Sequence, residues 1–457
     1  MTAAQRLAAT CVAWRDATPD AAVVARTRAF LLDWLGVTLG GAPEPSSVAL
    51  RRGLALLGTP GDAPAFGTCE RFAPIHAALA NGAAAHTLEM DDTHQAGSIH
   101  LGATMFAAAF AAAARRPETT LDAALRAVAA GYEVTGRLAM ALDPAAHYRR
   151  GFHPTGTCGA FGAAATAALL LGQDADGVAN ALGIAGSQAA GSMEFLADGT
   201  WTKRFHPGWA AHAGLHAAAL AAAGFRAPAT ILEGRFGTLH AYSDAAEVAK
   251  LDDGPEPVVL RTSVKPHACC RYMQAPIDAV LGLRAAHGLR PGDVERIEVG
   301  IVAAGFPIVC EPLDAKRRPA TVVDAQFSLP FGVAVALLRG QASPDEFVPS
   351  VFGDATITTL MDRVEPRRDP ALDAAYPQVW PAWVKVVTRA GAVHDAHVRF
   401  PLGDPENFPG DPALLAKFRR LAARALAPDA VERVADAATT LRLDAPLVRL
   451  AALAVAG

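Results

Sequence analysis

Residues 119–142 read TTLDAALRAVAAGYEVTGRLAMAL. Leu121, Leu125, Val128 and Tyr132 fall at helical spacing, which predicts an amphipathic helix over this stretch. Thr119 with Asp122 stands where a capping pair belongs, although the usual partner is Glu or Gln. Seven of its 24 positions are alanine, the best helix former. The texture repeats from residue 1 to about 260, one Ala-rich helix after another with small side chains between them. A second helix is predicted from about Gly208 to Ala223, stopped by Gly224, a good residue for the position just past a helix end. Thr230-Ile231-Leu232-Glu233 reads as a capping box opening a short helix.

The character changes near Asp253-Gly254-Pro255. Val258 to Val264 reads as a strand, and Val294 to Val302 alternates with period 2. Trp383–Arg389 and Ala392–Phe400 form two period-2 runs around Ala390-Gly391, a hairpin signal. Helical patterns at about 271–286 and 322–339 lie among them, so this part reads as α+β. From Asp411 the pattern is helical again. The fold expected is mainly α: a large helical domain built from both chain ends (1–262 and 405–457) with a smaller α+β lid (263–404) inserted between them.

A chain of 457 residues, 52% hydrophobic, is too long for one ordinary core and suits two domains. The net charge of −4 offers no basic face for nucleic acid. The runs Lys316-Arg317-Arg318 and Arg367-Arg368 read as solvated loops. Six cysteines without a C-x-x-C pair point to a reducing cytoplasm. The first twenty residues lack the continuous apolar run of a secretory signal, and the Ala-rich stretches are broken by Gly or charge, so no membrane span is expected. G-x-G-x-x-G, Walker, H-E-x-x-H and G-x-S-x-G signatures are all missing. Together these absences favour chemistry by general acids and bases.

Four segments carry groups suited to that chemistry. Asn81 to His94, followed by His100, gathers Glu89, Asp91, Asp92 and Thr93 at a helix end. Acids there face the negative end of the helix dipole, so a sequence that tolerates them has a use for them or a solvated helix end. Gly151 to Gly159 places His153 in a Gly/Pro/Thr loop that opens a helix, which reads equally as a capping loop. Gly199 to Gly208 sets Lys203 and Arg204 before a helix N-terminus, a plausible carboxylate site or a basic surface loop. Lys265 to Tyr272 lies at the domain junction and holds the vicinal pair Cys269-Cys270. Buried, inert thiols are the better reading of that pair, and a metal site with His267 the alternative.

In order along the chain these segments match a family pattern. Asn81-Gly82…His86…Asp91-Asp92-Thr93 comes first, then Gly151-Phe152-His153-x-Thr155…Gly159-x-Phe161-Gly162-Ala163-Ala164. Ala189-x-Gly191-x-x-Glu194…Thr202-Lys203-x-x-His206-x-Gly208 follows, then Lys265-Pro266…Cys270…Ile277-Asp278-Ala279, then Asp324-Ala325-x-Phe327-Ser328-Leu329-Pro330. The chain thereby resembles the MmgE/PrpD family, which includes 2-methylcitrate dehydratase, cis-aconitate decarboxylase and iminodisuccinate epimerase. The likeness runs from Leu32-Asp33 to Lys417-Phe418-Arg419.

The resemblance implies a homodimer with no metal or organic cofactor, and a cleft between helical domain and lid that takes a small polycarboxylate. It points to Thr93, His100, His153, Lys203 and Lys265. The expected catalytic groups are His153, His100 and Lys203, with Lys265, Thr93, Asp91, Glu89 and Arg204 expected to bind or orient substrate. Dehydration, decarboxylation and epimerisation all pass through a carbanion-like species beside a carboxylate, so the same groups serve each. A lyase is the expected activity, an epimerase of an iminodicarboxylate the first alternative, and a non-catalytic carboxylate binder the second. Three positions depart from the pattern: Glu89 replaces Asp, Leu101 replaces Pro after His100, and Phe331 stands where relatives acting on aconitate-like substrates tend to carry Tyr.

Overall fold

A computed structural model describes residues 1–457 apart from 18, 19, 59, 253, 255 and 457. Asp253 and Pro255, where the sequence changes character, therefore lie outside the described residues. The longer helices of the first part are α1 (Ala3–Asp16), α2 (Ala21–Gly41), α3 (Pro45–Leu56), α4 (Pro74–Thr87), α5 (Gly102–Arg115), α6 (Leu121–Ala141), α7 (Gly159–Leu170), α8 (Ala175–Ala185) and α9 (Thr202–Ala222). The architecture is mainly α, as the alanine texture implies. Leu121, Leu125, Val128 and Tyr132 are all buried along one face of α6. Its cap is Thr120, one residue later than the sequence suggested: the Thr120 hydroxyl accepts from the Ala123 amide at 3.2 Å.

Small residues let these helices touch backbone to backbone. α4 and α9 cross at Gly82 and Gly208, where a Cβ on Gly208 would sit 2.2 Å from the Leu79 carbonyl oxygen. α6 and α7 cross at Gly131 and Gly162 in the same manner. Overpacking a core costs roughly 1–3 kcal/mol, more when the obstacle is backbone. Gly208→Ala is expected to destabilise the chain by about 3 kcal/mol, read as a lower urea midpoint; an unchanged midpoint would contradict this packing.

The α+β part contains α10 (Gln274–His287), α11 (Leu329–Arg339) and a four-stranded sheet of β1 (Val294–Ile301), β2 (Val364–Arg368), β3 (Ala382–Thr388) and β4 (Val393–Val398). Its order is β2-β1-β3-β4, parallel between β1 and β2 and antiparallel elsewhere. α10 packs on β3 and β4 and against α11. The hairpin turns at Gly391 with φ 83°, a left-handed conformation that suits glycine. Beyond the sheet, α12 (Asp411–Ala422) returns to pack on α2, and α13 (Pro428–Thr440) packs on both.

Four local expectations fail, the first two because a partner distant in sequence intervenes. Val258–Arg261 is a 3-10 turn, and only Thr262–Ser263 is extended. The Val258 amide donates to Glu133 on α6 at 2.6 Å, which coils the apolar run against that helix. Thr230–Glu233 forms a turn without a helix, since Glu233 accepts from the Ala3 amide at the start of α1 at 3.1 Å. The 322–339 pattern breaks at Ser328, which caps α11 by accepting from Phe331 N at 3.1 Å. α9 begins at Thr202 and takes Pro207 into its second turn, so Lys203 and Arg204 lie in its first turn and not before it.

Candidate active site

The acid segment leaves α4 at Leu88. Glu89 adopts φ 55°, a left-handed conformation rare outside glycine, which turns the chain back under the helix end. Lys417 of α12 holds this turn from below: its ammonium donates to the Met90 carbonyl at 2.7 Å and pairs with Asp33 of α2. Asp92 caps α5, accepting from Gly102 N at 2.8 Å and from the Tyr132 hydroxyl. Burial pushes the Asp92 carboxyl up to about 7, with the Tyr132 bond pulling the other way. Its role is to hold the segment in place. Thr93 and His94 then pair antiparallel with Ser263 and Thr262, a two-residue ladder that delivers Lys265 to the acids two residues later.

Glu89 is the centre of the cluster. Its carboxylate accepts from Lys203, in the first turn of α9, and from Lys265 at 3.4 Å. Lys265 also lies 3.7 Å from Asp91. Asp91 in turn meets His86 Nδ1 at 2.7 Å and His100 Nδ1 at 3.4 Å. His100 Nδ1 is 2.8 Å from the Asp92 carbonyl and 3.3 Å from the Thr93 hydroxyl. His153, at the start of the short helix Pro154–Thr157, reaches His206 of α9, Nδ1 to Nδ1, at 3.0 Å. All of these residues are buried.

The electrostatics follow from that burial. Burial alone would raise the Glu89 carboxyl, but Lys203 and Lys265 overcome it and hold it below the usual carboxylate range. Asp91 is held well down against burial by His100, His86 and Lys265. Burial drives His100 well below its ordinary value although Asp91 draws it upward, and drives His153 down with help from His206 and Lys203. Lys265 is raised, the pull of Glu89 and Asp91 exceeding the effect of burial. Burial draws Lys203 down against the pull of Glu89. At neutral pH Glu89 and Asp91 are thus ionised opposite a charged Lys265, with His100 and His153 neutral. Neutral imidazoles are ready bases.

Buried neutral histidines also set the acid limb of stability. His94 and His147 are each pushed to about 4 by burial. Between pH 6.5 and 4 the unfolded chain takes up a proton at each and the folded chain does not. Stability is therefore complete above pH 6.5 and falls as pH drops, by about 3 kcal/mol per histidine at pH 4. A thermal midpoint that declines steeply from pH 6.5 to 4.5 is expected; a flat profile would contradict the burial of these groups.

Of the residues singled out from the sequence, Glu89, Asp91, Thr93, His100, Lys203 and Lys265 come together, with His153 beside them: its ring centroid is 6.3 Å from that of His100. Arg204 turns elsewhere, donating to Ser46 at 3.1 Å and Gln326 at 3.2 Å. It lines, with Thr87 and Trp201, a pocket of about 510 Å³. Phe331 packs edge-on against Phe347 and Phe352 at centroid distances of 5.2 and 6.0 Å. Phe327 meets the cluster, 5.3 Å from the Lys203 ammonium, and Phe195 packs edge-on against His153. Cys269 and Cys270 are buried with thiols pushed up, first by burial, and His267 Nε2 is 2.8 Å from Asp278. Among the described residues the one group whose donor atoms lie close enough to share an ion is His86, His100 and His153. Sequence reasoning passed over His86 and His206; His86, inside the first family block five residues before Asp91, was visible there.

The MmgE/PrpD N-terminal domain model matches residues 5–250, and the C-terminal domain model matches 267–443. The chain belongs to the MmgE/PrpD family. Among its relatives is a cis-aconitate decarboxylase-like protein of Aspergillus oryzae, 26% identical, covering 94% of this chain and 92% of its own length. The cis-aconitate decarboxylase of Aspergillus terreus is 25% identical over 92% of this chain and 89% of its own. The human cis-aconitate decarboxylase is 28% identical over 79% of this chain and 75% of its own. The matches to these relatives span between 79% and 94% of this MmgE/PrpD chain. No helix among its described residues is long and apolar enough to cross a membrane.

Proposed function

We propose that this MmgE/PrpD protein is a cofactor-independent lyase that decarboxylates a short unsaturated polycarboxylate of the cis-aconitate type, with His153 and His100 as the acid/base pair. The observation that carries the reading is the buried grouping of Lys203 and Lys265 around Glu89 beside neutral imidazoles. A di- or tricarboxylate needs cations, and both ammonium groups have N–H donors beyond those given to Glu89 and Asp91. Residues 1–262 with 405–457 form the helical body in this reading and 263–404 the lid, so Lys203 comes from the body and Lys265 from the lid's first residues. Glu89, Asp91 and Thr93 orient these groups. The family's homodimeric assembly belongs to the same proposal.

In the reaction the C–C bond to one carboxylate breaks and CO2 leaves. The electron pair delocalises toward a neighbouring carboxylate, where the ammonium groups stabilise the developing charge. A proton from an imidazolium then goes to carbon. The acid form arises with the substrate: carboxylates entering beside His100 and His153 favour protonation of rings that burial otherwise keeps neutral.

The test is to incubate chelator-treated protein with cis-aconitate, citrate, 2-methylcitrate and iminodisuccinate and to follow each by NMR. Consumption of cis-aconitate with release of CO2 is the expected result. Loss of water from 2-methylcitrate, inversion of iminodisuccinate with nothing lost, or no turnover of any of the four would overturn the proposal.

A further inference from the structure

His86 has no part in the chemistry above, yet it is fully buried in the middle of the cluster. Its Nδ1 is 2.7 Å from Asp91 Oδ2, and its Nε2 is buried without a hydrogen-bond partner. His100 and His153 share the pattern. The Nδ1 of His100 is taken by the Asp92 carbonyl and that of His153 by His206 Nδ1, while neither Nε2 makes a hydrogen bond among the described residues. The His86 ring centroid lies 4.6 Å from that of His100 and 5.8 Å from that of His153. One ring nitrogen from each of the three lies within 4.8 Å of the others.

This is how histidines that ligate a metal are arranged. The second ring nitrogen of such a ligand is held by a carboxylate, a carbonyl or another fixed group, which sets the tautomer and aims the free nitrogen. Closing three nitrogens onto the Zn–N distance of ~2.0–2.1 Å takes a shift of about 1 Å or less per ring. Glu89 Oε1, 3.9 Å from His86 Nε2, is in reach as an oxygen ligand. Glu89 and Asp91 offset the positive charge of Lys203 and Lys265 that opposes a cation. Imidazole nitrogens with one carboxylate oxygen suit borderline divalent ions and not magnesium or calcium.

We propose that His86, His100 and His153 bind a borderline divalent transition-metal ion, with Zn2+ the best fit, and that the bound ion excludes substrate by occupying the nitrogens that would handle its protons. The ion is an inhibitor at this site and not a cofactor. The inhibitory half rests on the function proposed above, whereas the binding half stands on the geometry alone.

The experiment uses full-length, chelator-treated protein carrying Cys69→Ser, which removes the exposed thiol. Zn2+ is titrated against a chromophoric chelator, and Co2+ is added separately as a spectroscopic probe. The expected result is one Zn2+ per chain, visible d–d absorption of a four- or five-coordinate site with Co2+, and affinity at least tenfold weaker in His86→Gln and in His100→Gln. Asp91→Asn, which frees the His86 ring, should weaken binding by roughly 10–100-fold. Cys269→Ser with Cys270→Ser should leave binding unchanged. If His86→Gln does not fold by circular dichroism, His100→Gln decides. Substoichiometric binding, affinity unchanged in the histidine variants, or loss in the cysteine variant would each overturn the proposal. A chain that binds Zn2+ but converts no carboxylate fails the functional reading alone; one that decarboxylates cis-aconitate and binds no Zn2+ fails this inference alone.

Discussion

Replacing His153 by alanine is expected to lower kcat on cis-aconitate by about 10²–10⁴-fold, the usual contribution of a positioned acid or base, with cooperative unfolding retained. His153 is 1% exposed, but its side chain holds no backbone group and no charged partner by a hydrogen bond. Its backbone amide donates to Gly191 at 2.9 Å and keeps that bond in any variant. The side chain's hydrogen bond is to another histidine, His206, whose own pKa burial already pushes to about 3, so an uncharged ring is left behind. Steady-state kinetics beside a thermal melt separate the two effects. A variant that folds and turns over at the normal rate removes His153 from the mechanism.

The second large effect is expected from Lys203→Met. The methionine keeps the length of the side chain and removes the ammonium. Glu89 is then left with Lys265 at 3.4 Å as its remaining cation, while 3% exposed. Breaking one side of a buried ion pair costs about 3–5 kcal/mol because the other charge stays behind. Activity should fall below detection and the thermal midpoint should drop by many degrees. Pairing Lys203→Met with Glu89→Gln removes the stranded charge and is expected to recover most of the stability but none of the activity. Recovered activity in the double variant would mean that Lys203 serves the fold and not the substrate.

Much of this was legible in the sequence, for reasons that α6 and the family blocks make plain. The Leu121, Leu125, Val128, Tyr132 spacing is a local signal and gave a buried helix face. The β3–β4 hairpin followed from period-2 runs around a glycine that has to be left-handed. Local signals failed where a distant residue claimed the backbone. Val258 coils because its amide finds Glu133, 125 residues away, and Glu233 caps a helix 230 residues before it. No window of sequence contains those partners. The site divides in the same manner. Glu89, His153, Lys203 and Lys265 could be named because each sits in a recognisable block. The pairing of His86 with Asp91 and the brace from Lys417 to Met90 and Asp33 needed the fold, since α2, α4 and α12 meet only in three dimensions. Phe331 drew attention by its place in a block, but its side chain faces Phe347 and Phe352.

The central step of the proposed reaction is the passage of a proton from the histidines beside the paired lysines to a carbon from which CO2 has left. The measurement closest to it is a time course with cis-aconitate in D2O, read by proton and carbon NMR for wild type and His153→Ala side by side. CO2 release with one deuterium bound to carbon per turnover is expected in the wild type, and neither in the folded variant. Deuterated product formed at equal rates by both proteins, or consumption of cis-aconitate without CO2, would contradict it.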